Sequence, residues 1–356
     1  MNSFELKIFK ELNKKNIEKN LVISSISIYH ILSLTTNGAL NKTLEEMLNV
    51  LSHKKLDEMN KNNKLISSII SKFKSIEFAN AVFSKFKPET LFMNKIKEYK
   101  ATMDILKDEA QINKWCNDKT HKKIPKIIDK LTDNDVMVLI NAIYFNGTWE
   151  KSFDPKKSNK NCFMNNNKTS IKINFMNMTD NFDYFENEQI QAISLNYNKD
   201  NMKALIILPK TEKEKDINNF VNNFSEEEYI NIIKNLQNKK VILKLPKFEL
   251  NFEAELKDTL ISLGMVEAFS DNADFSSMTK KNNVKIGRII HKTFISIDEK
   301  GTKAAAATAI VMKTLCFILN NDPIMNVNHP FLFIVRNENL PKGYDMIFAS
   351  KVEVLK

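Results

Sequence analysis

Residues able to act as nucleophiles, bases or metal ligands are scattered through this chain. The five histidines, His30, His53, His121, His291 and His329, stand far apart, and none has a second ligand at metal-binding spacing. There is no Gly-x-Ser-x-Gly elbow, His-Glu-x-x-His pair, phosphate-cradling glycine loop or Cys-x-x-Cys pair. A triad assembled by folding remains possible in principle. Neither a cofactor nor a metal is expected from these residues. The chemistry this sequence offers lies in its backbone. Lys300-Gly301-Thr302-Lys303-Ala304-Ala305-Ala306-Ala307-Thr308-Ala309 is rich in the best helix former, yet it follows the strand-like His291-Lys292-Thr293-Phe294-Ile295-Ser296-Ile297-Asp298-Glu299. As a strand it puts Thr302, Ala304, Ala306, Thr308 and Ile310 on one face and Lys303, Ala305, Ala307 and Ala309 on the other. Such small side chains suit a segment that slips between existing strands; on residue types alone a helix or a flexible linker is the alternative.

The elements that must position this segment are mixed. The N-terminal third reads as helices: Asn2 and Glu5 could cap one burying Phe4, Ile8, Phe9 and Leu12, and Trp115 lies in another with Ile112 and Cys116. Strand-type apolar runs follow at Val136 to Phe145, Ala204 to Leu208, Val241 to Leu245 and Phe331 to Val335. Without strict βαβ alternation, the pattern points to α+β. With 356 residues, 43% of them hydrophobic, the chain can bury a large core, and its six glycines and eight prolines form no linker-like cluster. One domain over 1–356 is expected. The abundant Asn and Lys read as compositional drift spread over the surface.

Asp298 to Ala309 resembles the proximal hinge of the reactive-centre loop in serpins. Asn20-Leu21-Val22-Ile23-Ser24-Ser25-Ile26-Ser27-Ile28 is similar to the family's shutter segment, and Val138 to Trp149 to its third strand of sheet A. Leu245-Pro246-Lys247-Phe248, Leu263-Gly264-Met265, Ala273-Asp274-Phe275-Ser276 and Asn328-His329-Pro330-Phe331-Leu332-Phe333 match further signatures in order. The likeness runs from about Phe4 to Val352. It implies the serpin fold, with three β-sheets, about nine helices and a reactive-centre loop at about 299–327.

The resemblance implies a suicide-substrate inhibitor and not an enzyme. A serine protease cleaves the loop, and the hinge residues Glu299, Gly301, Thr302, Ala304, Ala305, Ala306, Ala307 and Thr308 carry it into sheet A, trapping the covalent acyl-enzyme. Roughly ten new ladder hydrogen bonds at about 1 kcal/mol each would supply on the order of 10 kcal/mol. The family's interval from Glu299 places the reactive bond at Leu315-Cys316, with Lys313 and Phe317 as alternatives. An apolar Leu315 suits the hydrophobic slot of chymotrypsin-like proteases. Ser24, Ser27, Asn141 and His291 match the shutter, and Trp149 the breach where insertion starts. A satisfied strand histidine and a core tryptophan are the plain alternatives. Two departures are Ser24-Ser25 where the family usually has Ser-Pro, and Ser350 in place of the usual glycine.

A non-inhibitory carrier or chaperone, a cross-class inhibitor of cysteine proteases and a basic nucleic-acid binder are the competing readings. The small-residue hinge argues against the first, and the absence of an aromatic-interleaved basic motif against the last. The net charge of +10 raises weak polyanion binding through Lys61, Lys64, Lys72 and Lys74 or through Lys119, Lys122, Lys123, Lys126 and Lys130, against a diffuse solvated surface. No apolar run is long enough to cross a bilayer, and no signal peptide is visible. Three cysteines that cannot all pair fit a reducing compartment, so a cytoplasmic protein, or one exported without a cleavable leader, is expected; a monomer is expected as well.

Overall fold

The computed structural model describes residues 4–210, 216–281, 284–301 and 322–356. Fourteen strands occur among them: β1 (Leu21–Ile23), β2 (Ile76–Ser84), β3 (Thr102–Ile105), β4 (Met137–Phe145), β5 (Asn159–Met164), β6 (Ser170–Glu186), β7 (Ile190–Asn196), β8 (Met202–Pro209), β9 (Gln237–Pro246), β10 (Phe248–Glu255), β11 (Arg288–Ile297), β12 (Ile324–Asn326), β13 (Phe331–Asn337) and β14 (Met346–Val352). Nine α-helices among the described residues accompany them without strict alternation, giving the expected α+β class.

The strands form two hydrogen-bonded sheets. One has five strands in the order β10-β11-β4-β2-β3. The other runs β1-β14-β13-β8-β7-β6-β9-β12, with β5 on β6. Where three sheets are expected, the 17-residue β6 passes unbroken from its pairing with β5 to its pairing with β7, so two of them share a strand.

β4 is apolar at almost every position and buried at all but Tyr144. A strand covered on both faces requires such a run. On one face Ile140 and Ala142 cluster with Ile112 and Cys116 of helix Glu109–Lys119. On the other, Leu139 and Ile143 join the main core, against helix Ser25–Thr36, which is buried everywhere except His30.

Two sequence expectations need correction. Helix Phe4–Lys15 buries Phe4, Ile8, Phe9 and Leu12 as its spacing predicts, but Glu5 is buried as well. Burial, reinforced by Asp345, pushes its carboxyl well above the usual range, and it accepts from the Met346 N–H (3.4 Å); Asn2, and with it the expected cap, lies outside the described residues. Nor is asparagine confined to the surface: Asn13, Asn63, Asn80, Asn141, Asn165, Asn218 and Asn337 are all buried. An amide donates and accepts at once, which lets it terminate buried backbone. Asn20 shows how, accepting from the Glu353 and Val354 N–H groups while donating to the Val354 carbonyl.

Candidate functional site

The central feature is the seam between β4 and β11. The two strands pair in parallel from Val138 with Arg288 to Tyr144 with Phe294, which sets Asn141 opposite His291. His291 is 0% exposed, and burial pushes its pKa down to about 3. Its Nε2 accepts from the Ser24 N–H (3.2 Å) and its Nδ1 lies 2.5 Å from Asn141 Oδ1. An amide oxygen only accepts, so the ring is neutral with its proton on Nδ1. Asn141 Nδ2 then donates to Ser27 Oγ and to Asn80 Oδ1, each at 2.5 Å. Asn80 is the register partner of Asn141 on β2, and Thr293 Oγ donates to the Val22 carbonyl (2.5 Å). A buried polar strip therefore crosses β2, β4 and β11 and reaches the segment before helix Ser25–Thr36.

Ser24, Ser27, Asn141 and His291 are thus brought together as the sequence predicts, with one correction. Ser24 contributes its backbone N–H, and its hydroxyl has no hydrogen-bond partner among the described residues. Asn80 and Thr293 were not anticipated. A lone polar residue within a strand pattern reads as the solvent side of an alternating strand, and only the covering helices make it internal.

A second cluster forms where β11 ends. Asp298 to Gly301 closes a tight turn through two mutual backbone bonds, Asp298 N to Gly301 O (2.9 Å) and Gly301 N to Asp298 O (3.2 Å). Gly301 has φ +129°, and a Cβ there would lie 2.7 Å from Thr148 Cα. No other residue fits. Trp149 grips the turn, its Nε1 donating to the Asp298 carbonyl (3.0 Å) and its backbone N–H to the Lys300 carbonyl (2.9 Å). Its ring stacks on Tyr197, with centroids 4.4 Å apart. Glu299 accepts from Ser158 Oγ (2.7 Å) and pairs with Lys247. Burial opposes its ionisation, yet the hydrogen bonds from Lys247 and Ser158 prevail and hold the carboxyl below the usual glutamate range. Lys247 sits in the Leu245-Pro246-Lys247-Phe248 motif, where its role could not be read; Ser158 and Tyr197 carry no local signal.

Thr302, Ala304, Ala305, Ala306, Ala307, Thr308, Leu315 and Cys316 lie outside the described residues, as do Lys313 and Phe317. Of the two departures, Ser25 Oγ donates to the Met346 carbonyl (3.4 Å), and Ser350 is buried, its hydroxyl without a hydrogen-bond partner among the described residues. Lys61, Lys64, Lys72 and Lys74 are exposed, as are Lys119, Lys122, Lys126 and Lys130, while Lys123 is half-buried. Lys126 is paired with Asp129 at 2.6 Å. Cys116 is buried, with its thiol pushed up to about 12 by burial, and Cys162 is exposed. Among the described residues no His, Cys, Asp or Glu cluster could hold a metal ion, and no helix is long and apolar enough to cross a membrane.

A five-stranded sheet is thus crossed by a buried polar strip, and its strand β11 ends in a glycine turn held by Trp149. The family profile described as Serpin (serine protease inhibitor) matches residues 1–352. The leukocyte elastase inhibitor of Xenopus laevis is 30% identical over 352 residues, covering 93% of this chain and 92% of that protein. The native-state structure of tengpin, a thermophilic serpin, is similar with a TM-score of 0.89 at 30% identity, covering 99% of this chain and 92% of that one. Native protease nexin-1 with heparin gives a TM-score of 0.88 at 25% identity over 99% and 97% of the two chains. The chain belongs to the serpin family, whose profile and relatives are named as protease inhibitors and not as enzymes.

Proposed function

We propose that this serpin is a suicide-substrate inhibitor of chymotrypsin-like serine proteases, cleaved between Leu315 and Cys316. The observation that carries this reading is the direct parallel pairing of β4 with β11. β11 runs through Gly301 into the segment from Thr302 onward, beside the end of that seam. A strand laid between β4 and β11 would gain ladder bonds on both edges. Thr302, Ala304, Ala305, Ala306, Ala307 and Thr308 present little bulk to the opening sheet. The buried strip of Asn80, Asn141, His291, Ser24 and Ser27 acts as the shutter, and Trp149 with Glu299 and Lys247 holds the breach.

The leukocyte elastase inhibitor among its relatives is in keeping with an apolar primary residue such as Leu315. A cysteine protease could meet the same trap, because only a covalent acyl intermediate is required. Heparin in the protease nexin-1 structure supports weak polyanion binding through the two lysine groups as a secondary property. The protein acts as a monomer with one protease, from a single domain.

The test is incubation with chymotrypsin-like, elastase-like and trypsin-like proteases. A denaturant-resistant adduct with the first and a released peptide beginning at Cys316 are expected. Cleavage at that bond with no adduct for any protease would show a substrate or a non-inhibitory carrier.

A further inference from the structure

The tip of the β7–β8 hairpin grips the five-stranded sheet at the end where the hinge lies. Asp200 Oδ2 accepts three hydrogen bonds from the residues just before β2: Lys74 N–H (2.8 Å), Ser75 N–H (2.8 Å) and Ser75 Oγ (2.6 Å). The Ser75 carbonyl in turn accepts from Asn146 N–H (2.7 Å), extending the β2–β4 ladder past Phe145. Asp200 is itself fixed, because buried Asn337 on β13 donates to its carbonyl (2.5 Å) and its φ is +64°. Next to it Asn198 N–H donates to the Thr148 carbonyl (2.8 Å) and Glu150 N–H to the Asn196 carbonyl (2.9 Å). One carboxylate thus ties the β2–β4 pair to the nine-stranded sheet.

Magnitudes decide what this means for opening. Admitting a strand between β4 and β11 requires those two to separate by about one strand spacing, ~4.8 Å. A hydrogen bond at these lengths tolerates well under ~1 Å of stretch. If β2 and β4 move while β13 and β8 stay, the Asp200 contacts break. We infer that Asp200 is a positioning residue that restrains sheet opening, setting how readily the seam between β4 and β11 accepts a new strand. This rests on the insertion reading given under Proposed function.

The probe is a fluorescein-labelled synthetic peptide with the sequence of residues 302–313, offered to the intact, uncleaved protein. Asp200→Gly removes the carboxylate without straining a positive φ, Asp200→Asn keeps an acceptor, and Ser75→Ala removes one bond from the other side. The expected result is that peptide incorporation is about tenfold faster or more in Asp200→Gly, intermediate in Ser75→Ala and near wild type in Asp200→Asn. Should Asp200→Gly fail to fold, the Ser75→Ala rate decides alone. A lowered melting temperature with an unchanged incorporation rate would make Asp200 merely structural and overturn the inference. A wild-type protein that takes up no peptide and forms no protease adduct would instead overturn the insertion reading beneath it.

Discussion

Asn141 and His291 are register partners across the β4–β11 seam and share a 2.5 Å contact between Oδ1 and Nδ1. A strand inserted there would move them apart by about 4.8 Å, so opening must break the bond that closes the sheet. Both groups are buried and, on the proposed insertion, would then need other partners.

Stability of the uncleaved protein should decline in acid. In the folded chain His291 titrates at about 3, whereas free histidine titrates near 6.5. Between those values the unfolded chain binds the proton and the folded chain does not. The contribution is complete above about pH 6.5 and lost progressively as pH falls toward 3. His30 and His53, also held below their ordinary value by burial, act in the same direction, so the control is His291→Gln. Denaturant midpoints measured across this window should fall less steeply in that variant; an identical slope would assign the titration elsewhere.

Nicking at Leu315 should raise heat resistance. A gain on the order of 10 kcal/mol from new ladder bonds corresponds to a melting shift on the order of 10 °C or more. Scanning calorimetry of the intact and nicked protein measures it, and no shift would remove the insertion model.

Thr302→Arg should convert the inhibitor into a substrate. A guanidinium at the first inserting position would have to be buried without a partner. Adduct bands should disappear while loop cleavage continues; persistent adducts would count against insertion starting at Thr302.

Leu315→Arg should redirect inhibition from chymotrypsin-like to trypsin-like proteases, because a cation then meets the buried carboxylate of the trypsin pocket. Comparing inhibition rates across the two enzymes tests it. If the preference stays and the released peptide still begins elsewhere, the reactive bond is Lys313 or Phe317 plus its successor.

Glu299→Ala should loosen the breach. The change strips Ser158 and Lys247 of their shared acceptor, at about 1–3 kcal/mol. Chemical denaturation of the intact protein should register the loss. An equal loss in the nicked form would show that the contact does not favour the closed state.

The strands and helices were legible to within a few residues where the apolar period was strong, as at β4, β8 and β13. Likeness to a family pointed to Ser24, Ser27, Asn141 and His291, which the structure brings together, whereas the hinge residues from Thr302 to Thr308 lie outside the described residues. Asn80, Thr293, Ser158 and Asp200 were not, because each owes its role to a residue at least dozens of positions away. Glu5 misled for the same reason, since nothing in its neighbourhood announces that Met346 and Asp345 will enclose it.

What the sequence determined by itself was local: where apolar runs fall, where glycine alone can turn the chain, and which segment carries mostly small side chains. Period and side-chain volume are properties of neighbours in sequence. What only the tertiary structure decided was which polar groups are internal and which strands share an edge. The distance from Asn141 to His291 is set by the pairing of β4 with β11, and that from Asp200 to Ser75 by the packing of two sheets; a hydrogen bond depends on that distance and not on the residues between.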